Sequence, residues 1–514
     1  MSHLSSVFNS VPVKVPDRSG FDLSHENLFS ATVGTLIPAS VEEVLPGDVC
    51  SIGASLSVEL PPLATNFKGR VDAKLETFFV PNRILWAGWQ DFICQDKNHK
   101  PVVPGFSVAA SIPQVRLQGE FVGAGTLSDY LGYKSQYTQG TSYCHVNALP
   151  FLAYQKIYDD WYRDTLVQQP FFVDGLDDSN ANLNASLIPY LRSTGIFSQT
   201  TGSSNSCIGF NGVDMRSLRQ RCFAKDYFTT MTTRPQSGAD ASLSFSVDQD
   251  NIGSFTIRSL RAANALQKWL ERNNIGGTRY YDQILAHFGV MPPDANVNRV
   301  VLLGATTQPV VVNSISKTNQ SESEAKNPYS SSTGAQFGRG LSFGKDRLVD
   351  KFEVKEHGFI ITLFSLVPHA YYSTGIRRYL GRTGSGTYAF PEFAGIGDQE
   401  VYTSELVGSW GQIDTIPWNS GRIAGYNQRF SEYKYHDDEV HGLLADGSSL
   451  ENFVLQRGFS GSPQPSTDLL TIPTNYMDSV MVTSSSVSGF NAIVDCYFDS
   501  KFLRVMPEYS LPHL

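Results

Sequence analysis

The chain predicts a mainly β fold carrying long insertions, and three observations point there. Segments with apolar residues at every second position lie hundreds of residues apart, around Leu56 and again around Phe498. The 43 Gly and 26 Pro follow no period and fall between apolar runs, where the turns of many short strands require them. Only 17% of the 514 residues are charged, against about 25% in a typical soluble protein. Hydrophobic residues at 41% and aromatics at 12% supply a large core and leave uncharged surface of the kind that meets neighbours.

Residues 1–40 carry Pro12, Pro16 and Pro38 and no sustained period, which predicts an extended arm crossing other parts of the structure. Period two then sets in at Leu56, Val58 and Leu60. It resumes at Val71, Ala73, Leu75 and Phe79, alternating with Arg70, Asp72, Lys74 and Glu76, as half-buried strands do. Pro81 ends that run, and Asn82 is placed to cap a short helix with Leu85, Trp89, Phe92 and Ile93 on one face. A second helix is predicted over Asn147 to Thr165, with Pro150 in its first turn and Phe151, Tyr154, Tyr158, Trp161 and Tyr162 along one stripe.

Residues 174–212 are rich in Ser, Asn, Gly and Thr and predict an exposed insertion. A helix capped by Ser259 runs through Ala262, Leu266, Trp269 and Leu270 to Gly276. A second, from Thr278 through Ile284 and Phe288 to Gly289, completes a helical hairpin. Residues 314–344 are polar and Ser/Gly-rich, which predicts a flexible loop. Phe359 to Val367 is apolar on both alternating faces, a fully buried strand, and Ala492, Val494, Cys496 and Phe498 mark a last strand with one wet face. Strands this far apart suit one sheet system with long insertions, and a jelly roll fits. Separate α and β domains fit the same periodicity.

Signatures of chemistry are sparse. The stretch Gly381 to Gly386 lacks the lysine and the glycine spacing of a phosphate loop and reads as a turn. His436, Asp437, Asp438, Glu439 and His441 match neither a calcium loop nor a zinc helix and read as a solvated charged loop. Gly123 to Gly125 is only a fragment of a dinucleotide fingerprint. No catalytic, cofactor or metal residue is assigned. Six cysteines, Cys50, Cys94, Cys144, Cys207, Cys222 and Cys496, form no CxxC pair and read as free thiols.

The first residues lack a secretory leader, and the longest apolar run is far short of the ~20 residues that cross a bilayer. Folding in a reducing cytoplasm without membrane insertion is expected. The net charge of −9 gives no global attraction for phosphate, so a nucleic-acid partner would need polyamines, metal ions or a separate basic protein. Arg216, Arg219, Arg221 and Lys225, interleaved with Phe223, Tyr227 and Phe228, form the one basic-aromatic stretch suited to single-stranded nucleic acid. Subunit packing would give the same mixture.

A set of segments recurs in order along nearly the whole chain. They include Glu43 to Asp48 (EVLPGD), Phe78 to Arg83 (FFVPNR), Asn147 to Pro150 running on to Tyr158, and Lys225 to Phe228 (KDYF). Further ones are Trp269 to Arg272 with Gly276-Gly277, Gln283 to Val290 (QILAHFGV), Glu356 to Phe359 (EHGF), Phe390 to Ala394 (FPEFA), Glu432 to Tyr435 (EYKY) and Val440 to Gly442 (VHG). As a set these resemble the major capsid protein of the Microviridae, in its gokushovirus branch.

The resemblance implies a single capsid domain with an eight-stranded antiparallel viral jelly roll and helix-containing loop insertions. It also implies a structural, non-enzymatic role in a T=1 icosahedral shell around circular single-stranded DNA. Implied partners are further copies of the chain, other virion proteins including a small basic DNA-binding protein, and a bacterial surface receptor met by an exposed insertion, for which residues 174–212 are the candidate. Trp86, Trp89, Tyr158, Trp161 and Trp269 are expected in cores or in contacts between subunits. A carbohydrate-binding or carbohydrate-active β-protein and a phage spike protein are the rival readings.

Overall fold

A computed structural model describes residues 18–61, 67–86, 112–117, 121–133, 144–171, 213–233, 299–316, 336–382, 384–394, 397–407, 423–459, 463–481 and 491–508, the pair 196–197 and a few single positions. In chain order the first strands are β1 (Ser19–Asp22), β2 (His25–Ala31), β3 (Ile37–Val44), β4 (Val49–Glu59) and β5 (Val71–Pro81). Then come β6 (Gln114–Leu117), β7 (Cys144–Asn147), β8 (Ile196–Phe197), β9 (Val301–Pro309), β10 (Val311–Ser316), β11 (Gln336–Glu353) and β12 (Gly358–Pro368). The last are β13 (Tyr371–Tyr372), β14 (Gln399–Tyr402), β15 (Ile423–Asn427), β16 (Asp438–Glu439) and β17 (Ala492–Arg504).

Two sheets carry the architecture. One runs β1-β17-β4-β11-β10, with β2 also on β17, and the other runs β3-β12-β5-β9. β1 and β2 pair with different halves of β17, Ser19 to Asp22 against Arg504 to Lys501 and His25 to Ala31 against Phe498 to Ala492. Together they make one interrupted strand. Counted along the chain, eight strands then fall in the order 1-8-3-6 and 2-7-4-5, and every pairing among them is antiparallel. This is a jelly roll, the fold that the family resemblance implied and one of the two arrangements that the strand spacing allowed.

The alternation of side chains builds the space between the sheets. On β4, Cys50, Ile52, Ala54, Leu56 and Val58 point inward, and Ser51, Ser55 and Ser57 point out. β12 is buried along its whole length, because its two faces enter two different cores. Ile360, Phe364 and Leu366 join the core between the sheets, whereas Phe359, Ile361 and Leu363 join a second core outside it. Thr77 and Thr362, opposite each other in the register of β5 and β12, satisfy one another through a 2.9 Å hydrogen bond.

That second core corrects the reading of β5 as half-buried. Its outer face is covered by the helix Leu149–Ile157, which continues as a π-helical turn over Tyr158–Tyr162, together with Trp86 and Leu85. The covering comes from the long connection of residues 82–300 between β5 and β9. A second long connection, residues 369–491 between β12 and β17, holds a third small core of Tyr372, Val401, Leu406, Ala424 and Leu469 with Tyr227, Phe228 and Met231. On the other face of the β4 sheet, Leu341 and Phe343 stand 46% and 77% exposed.

Other expectations change as well. The arm predicted for residues 1–40 is already sheet from Ser19 onward, because β17 offers a full antiparallel edge that the proline-marked sequence does not reveal; residues 1–17 lie outside the described part. The loop predicted for residues 314–344 is strand at both ends, in β10 and β11, and its middle, residues 317–335, lies outside the described part. Its glycines are packing positions: a Cβ on Gly340 would fall 2.3 Å from the Leu60 side chain, and one on Gly344 would fall 2.4 Å from Gln308.

Asn82 is the first residue of the short helix Asn82–Leu85 rather than its cap. Pro81 holds the cap position, and the Asn82 backbone N–H donates to the His357 carbonyl instead. Trp89 and Ile93 are helical again. The hairpin predicted after Ser259 lies outside the described residues except Lys268, Trp269, Arg272 and Ala286, all helical. The insertion at 174–212 also lies outside them, apart from Ile196 and Phe197, whose backbone pairs in parallel with β6.

Candidate functional site

The basic-aromatic stretch folds inward. Arg216 is 4% exposed, bonded through Nε and Nη2 to the Asp214 carboxylate, with its guanidinium 3.7 Å from the centre of the Phe121 ring. Arg219 is 7% exposed and donates from Nε to Gln155 at 2.6 Å; burial outweighs the nearby tyrosines and lowers its pKa. Arg221 bridges to Glu76 on β5 through both terminal nitrogens and donates to Ser365 on β12. These side chains are turned into the protein and engaged there. Arg221 joins the outer layer to the sheet, and Arg216 and Arg221 neutralise carboxylates that burial would otherwise isolate. Lys225 is the exposed member, paired with Asp164.

The large aromatics divide in two. Trp86 is fully buried and Tyr158 nearly so, both in the second core, where burial pushes the Tyr158 hydroxyl up to about 12. Trp89 packs half-buried on the same core, edge-on to His357. Trp161 is 39% exposed: its indole N–H donates to the Val300 carbonyl, and Arg299 lies over its ring. Trp269 is 48% exposed.

The connection between β12 and β17 concentrates both charge and exposed aromatic surface, a combination that sequence reading passed over. Short 3-10 turns at Arg378–Gly381, Ser385–Thr387 and Pro391–Phe393 carry Tyr379, Leu380, Tyr388, Phe390 and Phe393 to the surface. The glycine-rich stretch after Gly381 is thus turn, as expected. A cleft of about 390 Å³ lies between residues 372–382 and 432–441. Arg382 spans its rim, over the rings of Tyr433 at 4.7 Å and Tyr388 at 5.2 Å, with Nη2 on Glu432 at 2.9 Å. Arg378 reaches Glu405 at 3.0 Å, and the Tyr227 hydroxyl donates to the same carboxylate at 2.9 Å.

The acidic run after His436 is only partly the solvated loop its charges suggested. Asp437 is buried and accepts the Tyr227 backbone N–H. Burial first, and then Asp226, push its carboxyl up to about 6. Glu439 pairs with Arg377, and Asp438–Glu439 forms β16, parallel to β13. The raised pKa values therefore belong to a structural ion network, the usual competitor to a catalytic explanation. Among the described residues, Cys50, Cys222 and Cys496 are free thiols, and burial raises those of Cys50 and Cys222 to about 11. No described helix is long and apolar enough to cross a membrane.

The family model described as capsid protein (F protein) matches residues 9–514. The chain is 26% identical to capsid protein VP1 of Chlamydia phage 1, covering 100% of this chain and 98% of that protein. It is 24% identical to capsid protein VP1 of Bdellovibrio phage phiMH2K, covering 99% and 98%, and 23% identical to that of Spiroplasma virus 4, covering 97% and 95%. With a match along nearly its whole length and a jelly roll beneath it, the chain belongs to the phage F capsid protein family, among the capsid proteins of the Microviridae.

Proposed function

We propose that this chain is the shell-forming subunit of a small phage and that copies of it close into a T=1 icosahedral container around circular single-stranded DNA. The observation that carries the reading is the family match over residues 9–514. In support, a single roll with insertions at two of its connections gives a rigid body with large side surfaces, and exposed aromatics suit contacts between copies. Trp161 and Trp269, exposed in the single chain, pack at such contacts. Residues 174–212 form the projecting insertion that meets the host surface.

The net charge of −9 and the buried arginines leave this chain with little to offer phosphate, so a small basic virion protein or polyamines neutralise the genome. Assembly takes place in the host cytoplasm, where the thiols stay reduced. Electron microscopy of purified product tests the reading. Uniform small icosahedral particles containing DNase-protected single-stranded DNA are expected, whereas isolated trimers or monomers, with no particles, would overturn it.

A further inference from the structure

Nearly half of the exposed large apolar side chains among the described residues fall between positions 379 and 453. Half of these border the cleft of the β12–β17 connection: Tyr379 and Leu380 on one wall, Tyr433 and Tyr435 on the other, and Tyr388 against Arg382 at the rim. A buried aromatic side chain covers about 150–250 Å². The exposed parts of these residues with Phe390 and Phe393 therefore amount to roughly 600 Å², most of the ≈800 Å² that each partner contributes to a standard stable interface.

The arginines around the patch are paired with carboxylates of the chain. Arg377 holds Glu439, Arg378 holds Glu405, and Arg382 holds Glu432. A saccharide site needs polar groups turned toward the sugar hydroxyls, and these are turned toward one another. What is left to cover is a rigid surface rich in Tyr, Phe and Arg, the composition of the energetic centre of a protein interface. Leu380, at 68% exposure on a short turn, is its most prominent knob.

We propose that this patch is a contact between copies of the chain, the knob at Tyr379 and Leu380 seating on a neighbouring copy in the shell. The proposal rests on the shell-forming reading above and adds to it which surface makes the joint. Neither side chain contributes to the three cores, so charge introduced there strikes assembly and spares folding.

The test compares the wild-type chain with the double variant Tyr379→Asp, Leu380→Asp in cells that also make the other virion proteins. Expected is a variant with the wild-type circular dichroism spectrum and thermal midpoint that yields no sedimenting particles. Particles at wild-type yield from the variant would overturn the proposal while leaving the shell reading intact. Absence of particles from the wild type itself would remove both. Should the variant fail to fold, a photo-reactive aromatic residue in place of Tyr379 decides. Cross-linking to a second copy supports the contact, and cross-linking only to another virion protein, or to nothing, overturns it.

Discussion

Asp437 lies where the β13–β16 pair meets Tyr227, with Asp226 as a like-charged neighbour and Arg377 as counter-ion at 3.9 Å. Its carboxyl titrates near 6 in the folded chain against 3.8 when unfolded. The folded state therefore holds the proton more tightly, and stability falls as pH rises from about 4 to about 6. The cost at neutral pH is on the order of 1–2 kcal/mol once partial screening is allowed for. Asp437→Asn is thus expected to melt higher than wild type at pH 7 and to lose that advantage by pH 4. Thermal melts across this range check it, and an advantage independent of pH would contradict the assignment.

Arg219 makes the opposite case, a charge held inside by a hydrogen bond from Nε to Gln155 and by the rings of Tyr158 and Phe171. Arg219→Ala is expected to cost about 3 kcal/mol, because Gln155 Oε1 loses its donor in a dry core. Urea unfolding measures the loss. In the segment from Arg216 to Phe228, spacing reveals that arginines and aromatics lie together and even places Asp214 beside Arg216, but Glu76, the partner of Arg221, comes from a distant strand.

At the scale of elements, β12 was legible because seven of the nine residues from Phe359 to Val367 are apolar, which leaves no face for water. β17 was legible because its alternation is unbroken from Ala492 to Phe502. β10 and β11 were not, since small residues, Gly340, Ser342 and Gly344, face the core there while Leu341 and Phe343 face out, the reverse of the pattern that marks a strand. Phe364→Ala on β12 is expected to cost about 3–5 kcal/mol as a cavity opens between the sheets. Gly304 on β9 tests the closure of the roll, since a Cβ there would fall 1.7 Å from the Leu348 carbonyl oxygen on β11. Gly304→Ala should destabilise by more than its small volume suggests, read as a lowered denaturation midpoint with an unchanged slope.

For the whole molecule, burial of the arginines and a net charge of −9 make one expectation concrete. The purified chain alone should bind single-stranded DNA weakly, and its affinity should change little between low and moderate salt. Filter binding at two salt concentrations measures this, and a steep salt dependence would contradict it.

Local periodicity sufficed for the class of fold, the buried strand, the aromatic helix over Leu149–Ile157 and the kinship with capsid proteins, because each is written in neighbouring residues or in short recurring segments. Which strands pair, how Arg221 finds Glu76, and how residues 379 and 433 come to share one patch are questions of long-range contact. Those outcomes depend on the free energy of bringing distant segments together, which no stretch of a dozen residues contains. The fold alone settles them.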